Sequence, residues 1–155
     1  MSIKQFPEDL HTLEIQTAET LLGGYSLQTD QGGYLDYIKS RFYFHGNVSP
    51  NANLRLSVYS DIGQTDLVSQ SPFYKVSEIE DYEGSWLGDL SFDMSPKISL
   101  LPDILGNMVY YVTVEVDNYT YTPTENINIV FGYPFNPYTG QDNKLVGRVE
   151  FFVLR

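Results

Sequence analysis

Alternation with period two is the feature that most constrains this chain. Leu54-Arg55-Leu56-Ser57-Val58 switches between apolar and polar at every step. Trp86-Leu87-Gly88-Asp89-Leu90-Ser91-Phe92-Asp93, Tyr110-Tyr111-Val112-Thr113-Val114-Glu115-Val116-Asp117 and Ile127-Asn128-Ile129 alternate likewise over most of their length. Successive side chains of a strand point to opposite faces, so this pattern predicts strands with one face buried and one toward water. The apolar members are mostly β-branched or aromatic, which again favours strands. His11 to Thr20, Asp36 to His45 and Val149 to Leu154 read the same way, less regularly.

The gaps carry turn residues. Gly-Gly pairs stand at Gly23-Gly24 and Gly32-Gly33, and Ser49-Pro50-Asn51 and Ser95-Pro96 mark further turns. Asp61 to Asp66 separates two strand-like runs and predicts a hairpin, with Asp61 accepting local backbone N–H bonds. No sustained helical period occurs; single turns at Pro7 to His11 and Ser99 to Leu105 are the most that is expected. The expected fold is all-β: an antiparallel, two-sheet, jelly-roll-like β-sandwich of about 8–10 strands with little helix. Its long connections would fall at 60–66, 77–84, 95–107 and 132–145. With 155 residues and about 150 per domain, one domain is expected over 11–155, with residues 1–10 as a candidate N-terminal arm.

Composition removes several function classes. Nine Lys and Arg against 20 Asp and Glu leave a net charge of −11, a poor match to nucleic acid phosphates. Cysteine is absent, which excludes disulfides, thiolate metal sites and a cysteine nucleophile. No apolar run approaches the ~20 residues of a membrane helix. The first nine residues carry acids and no apolar stretch, so no signal peptide is expected. The sequons Asn47-Val48-Ser49 and Asn118-Tyr119-Thr120 then read as turn sequences.

Catalytic motifs are missing too. His11 and His45 lie in no nucleophile context, and no G-x-S-x-G, P-loop or H-E-x-x-H occurs. Glu115 and Asp117 share a strand face, but an abundance of acids does not make a glycosidase pair. Asp61 with Asp66, or Glu78, Glu80, Asp81 and Glu83, would offer calcium oxygens, but neither segment carries a calcium-loop spacing. No catalytic residue, metal or cofactor is therefore expected.

The excess lies in aromatics, with 13 Tyr against 9 Phe and 1 Trp. Trp86, in phase with Leu90 and Phe92, is expected in the core. Tyr82, Tyr119, Tyr121, Tyr133, Phe135 and Tyr138 fall in expected loops. Tyr combines an apolar ring with a polar tip and is enriched at interfaces. Tyr119, Tyr121, Tyr133, Phe135 and Tyr138 are the candidate partner-binding residues, with Phe131 to Gly140 the densest stretch. Capping the end of the sandwich is the competing role for these rings.

Three runs, Leu54 to Asp61, Ser85 to Asp93 and Tyr110 to Val116, resemble the strand sequences of accessory virion proteins of tailed bacteriophages, namely capsid decoration (cement) proteins and small tail or fibre domains. The resemblance spans residues 35–155 and is one of pattern; it carries no functional residue across. It implies a non-enzymatic protein of the virion, assembled in the host cytoplasm. Its partners would be capsid or tail proteins, and it would form a homo-oligomer, a trimer in the case of cement proteins. The same runs are similar to carbohydrate-binding modules, which would make the partner a glycan. A small glycoside hydrolase is the remote alternative. Neither nucleic acid nor membrane is expected as a partner.

Overall fold

In a computed structural model, residues 12–26, 33–80, 82–100, 109–130 and 149–154 are described. They form ten strands: β1 (Thr12–Glu14), β2 (Glu19–Ser26), β3 (Gly33–His45), β4 (Asn53–Tyr59), β5 (Leu67–Gln70), β6 (Tyr74–Lys75), β7 (Trp86–Leu100), β8 (Val109–Asp117), β9 (Asn126–Val130) and β10 (Val149–Leu154). Among the described residues the only helical element is a 3-10 turn at Val76–Glu78. All pairings are antiparallel, and the strands run in the order β1-β9-β3-β7-β5-β4-β8-β2. β10 pairs with β3 and β6 with β4. The whole is one antiparallel sheet curled into a half-barrel.

Alternation explains the curl. Ile38, Phe42 and Phe44 of β3, Leu90, Phe92 and Met94 of β7, Leu54, Leu56 and Val58 of β4, Val112 and Val114 of β8, and Ile127 and Ile129 of β9 all turn to the concave side. There they form one buried cluster. Each such side chain contributes about 1.5–3 kcal/mol on full burial, so the concave face is the main source of stability. Leu35 and Ile38 both face inward although three apart, because the β3–β7 register shifts between Leu35 and Tyr37. A bulge of this kind resets the phase of a strand.

The two halves of the sheet meet at β7. Its first part pairs with β3 from Trp86 to Asp93, Ser95 then pairs with Gln70 of β5, and Ile98 to Leu100 return to β3. The turn expected at Ser95-Pro96 is therefore the place where a continuous strand changes partner. Proline has no N–H to donate, and a strand that is leaving one neighbour needs none there. Ser69 Oγ donates to the Pro96 carbonyl at 2.6 Å and holds the crossover.

Gly23 and Gly24 also depart from the turn expected of them. Both lie inside β2, beside a register shift against β8. A Cβ on Gly24 would come within 2.9 Å of Tyr111 Cε1, so the missing side chain makes room for the Tyr111 ring. Ser99 and Leu100, expected in a helical turn, belong to β7. The 60–66 hairpin is present: Tyr59 pairs with Leu67, and the Asp61 carboxylate accepts from the Thr65 and Asp66 amides at 3.0 and 2.9 Å. Those bonds, led by the one from the Thr65 hydroxyl, hold the Asp61 carboxyl below its usual range. The candidate arm and Pro7 to His11 lie outside the described residues.

β1 and β2 are consecutive in the chain but stand at opposite ends of the strand order. Ile15 to Ala18 spans the seam between them. The Ile15 amide donates to the Ile127 carbonyl at 2.8 Å on one side, and Ala18 accepts from the Val116 amide at 2.9 Å on the other. Ile15 is fully buried in the core cluster and plugs the seam.

Candidate functional site

The convex face of β2, β8, β4 and β5 is the most unusual surface described. Residues opposite the core positions share this face, and the register sets them in rows. Glu19, Glu115 and Arg55 form one row; Leu21, Thr113, Ser57 and Gln70 the next; Gly24, Tyr111, Tyr59 and Leu67 a third. On a solvent-washed face such residues would be exposed. Ser57 and Thr113 are instead fully buried, and Glu115 and Tyr59 retain 8% and 9% of their exposure.

Glu115 is the centre of a polar network. Arg55 Nε donates to Glu115 Oε2 at 2.5 Å, and the Tyr59 hydroxyl donates to Oε1 at 3.3 Å. The Gln70 amide oxygen turns toward Ser57 Oγ at 2.9 Å and Arg55 at 3.2 Å. The Arg55 guanidinium lies 4.3 Å from the centroid of the Phe73 ring, within cation–π range. Burial, then the Glu115 and Glu19 carboxylates, push the Tyr59 phenol up, against the opposing pull of Arg55. Thr113 Oγ1 is enclosed without a hydrogen-bond partner among the described residues. Around this network stand the exposed apolar side chains of Leu21, Leu67, Phe73 and Val109.

Tyr119 and Tyr121 come together elsewhere, beside β1. The Tyr119 hydroxyl donates to the Ile15 carbonyl and accepts from the Ile127 amide, both at 2.9 Å. The Tyr121 phenol is pushed above its ordinary value, chiefly by hydrogen bonding toward the Glu14 carboxylate. Glu14 and Gln16 line a depression of about 470 Å³ with Thr12, Leu13, Thr17 and Thr20. Tyr133, Phe135 and Tyr138 lie outside the described residues. Tyr82 is built into the fold: it accepts from the Val48 amide at 2.8 Å, donates to the Gly46 carbonyl at 2.6 Å and packs against Phe44. Trp86 also packs on Phe44, with ring centroids 5.3 Å apart.

Sequence reasoning passed over Arg55, Tyr59, Gln70, Phe73 and Tyr111. The signal was present, since Arg55 and Tyr59 share one strand face and Tyr111 and Glu115 another. Alternation assigns such positions to solvent, and only the register shows that the four stand side by side.

His45 ends β3, with Nδ1 3.1 Å from the Tyr43 hydroxyl. Among the described residues no group of three or more His, Asp or Glu is placed to hold a metal ion. The Arg55 guanidinium and the Tyr59 phenol each donate to one Glu115 oxygen. The face combines this polar network with the aromatic rings of Tyr59, Phe73 and Tyr111 and the exposed apolar side chains of Leu21, Leu67 and Val109. In comparisons with known proteins, no family model, no curated protein and no solved structure matches this chain.

Proposed function

We propose that this chain is a non-enzymatic structural protein of a bacteriophage virion, a capsid decoration protein that works through protein–protein contacts on the convex face of β2, β8, β4 and β5. We also read the curled sheet as a jelly-roll-like sandwich, with β2-β8-β4-β5 and β1-β9-β3-β7 as its two layers. The small overlap between the halves, Gln70 against Ser95, favours that division.

The observation that carries the functional reading is the anatomy of the convex face. An Arg–Glu–Tyr network, with Glu115 and Tyr59 buried and Arg55 half-buried, is flanked by exposed Leu21, Leu67, Phe73 and Val109. Contiguous exposed apolar groups mark interaction surfaces, and aromatic residues and Arg are the types enriched at interfaces. The ion pair fixes the floor of this surface, so little ordering entropy is lost on docking. Copies of the chain and the capsid lattice are the partners.

Light scattering coupled to size-exclusion chromatography, with co-sedimentation on shells of the capsid protein encoded nearby, tests the reading. Oligomers that bind shells are expected. A strict monomer without affinity for shells would overturn it.

A further inference from the structure

We infer that the cavity at the end of this face, between β4, β6 and the turns at 49–51 and 118, is a binding site for an acidic sugar. It is an open, polar depression of about 580 Å³. Ser49, Asn51, Asn53, Lys75, Ser77 and Asn118 line it.

Charge is the first argument. The chain has 20 acids, yet no carboxylate lines this cavity among the described residues. Asp117, beside Asn53 in the register, and Glu78, next to Ser77, stand outside the lining. Arg41, Arg55 and Lys97 are each neutralised by a carboxylate, of Asp89, Glu115 and Asp36. Lys75 makes no ion pair among the described residues and is free to meet an anion. One ammonium matches one carboxylate.

Hydrogen-bonding capacity is the second. Three side-chain amides and two hydroxyls both donate and accept, as sugar hydroxyls do. Near neutral pH inorganic phosphate carries only one or two O–H donors, too few for the three amide oxygens. Asn53 Oδ1 is enclosed and without a donor among the described residues. Asn118 holds its place in the lining at a φ of +54°, a left-handed conformation that Asn tolerates better than most residues.

The site is therefore assigned to a carboxylate-bearing sugar unit, with Lys75 on the carboxylate and the amides on the ring hydroxyls. The assignment is independent of the contacts proposed for the convex face. Two-dimensional amide NMR of the whole chain, titrated with N-acetylneuraminic acid, tests it. Shifts are expected at Asn51, Asn53, Lys75, Ser77 and Asn118. Lys75→Gln, an exposed substitution that leaves the fold intact, should weaken binding about tenfold or more, the usual loss for a charged hydrogen bond. Neutral N-acetylglucosamine should bind correspondingly less well. Absence of shifts at these amides would overturn the proposal. So would equal shifts with inorganic phosphate, or unchanged affinity in Lys75→Gln.

Discussion

The Tyr119 hydroxyl takes the place of a backbone donor to Ile15. The Ile15 amide donates to the Ile127 carbonyl at 2.8 Å, as an antiparallel pair requires, but the return bond from the Ile127 amide is routed through the phenol. The side chain is thus inserted into the ladder where β1 gives way to the seam. Tyr119→Phe leaves an amide and a carbonyl without partners in a half-buried site. The expected loss is about 1–3 kcal/mol of unfolding free energy in urea titrations. An unchanged midpoint would show that water replaces the hydroxyl.

Alkaline stability follows from the same tyrosines. Burial is the leading cause that raises the phenols of Tyr59, Tyr74, Tyr82, Tyr110 and Tyr119 above the ordinary value of 10.0. Below that value both folded and unfolded chains keep the proton, so stability is complete. Above it the unfolded chain ionises first, and stability falls as pH climbs toward the folded values. These five of the 13 phenols should ionise as a late step in tyrosinate absorbance, together with loss of tertiary structure. Absence of any such late step would contradict this.

The ion pair makes a separate prediction. Glu115→Ala strands the Arg55 guanidinium and removes the acceptor of Tyr59. Breaking a fully buried pair costs about 3–5 kcal/mol. The Arg55 side chain retains 28% exposure, and water relieves part of that cost, so about 1–3 kcal/mol is expected. Arg55→Met with Glu115→Leu should recover most of the loss. Thermal melts of the two single variants and the double variant measure the coupling.

Gly88 lies under Trp86. A Cβ there would stand 2.5 Å from Trp86 Cζ2, so Gly88→Ala must displace the indole from Phe44. A destabilisation of about 1–3 kcal/mol is expected from overpacking. Trp86 is the sole tryptophan, so its emission should shift to the red in the folded variant. Unshifted emission would mean that the backbone, not the ring, gives way.

Strands were the most legible part of the sequence. The runs at Leu54, Trp86, Tyr110 and Ile127 each fall on a strand, because half-buried alternation leaves a direct trace in composition. Breaks were harder to read. Gly23-Gly24 and Ser95-Pro96 look like turns, yet the first makes room for the Tyr111 ring and the second marks a change of partner within β7. Both roles depend on a neighbouring strand distant in sequence. The candidate site was the least legible. Tyr119 and Tyr121 are in the expected loops, but whether a loop tyrosine faces a partner or its own backbone depends on the strand it lies against. Arg55 and Glu115, 60 residues apart, meet only through the β4–β8 register.

The most direct test of the central claim compares the whole chain with a Tyr111→Lys variant by sedimentation, alone and with capsid shells. Tyr111 occupies the convex face beside Tyr59 and points away from the core. A charge there should leave the fold intact and disrupt docking. The account predicts an oligomer that pellets with shells for the natural chain and a folded monomer that stays in solution for the variant. A natural chain that is monomeric and ignores shells, or a variant that docks as well as the natural chain, would contradict it.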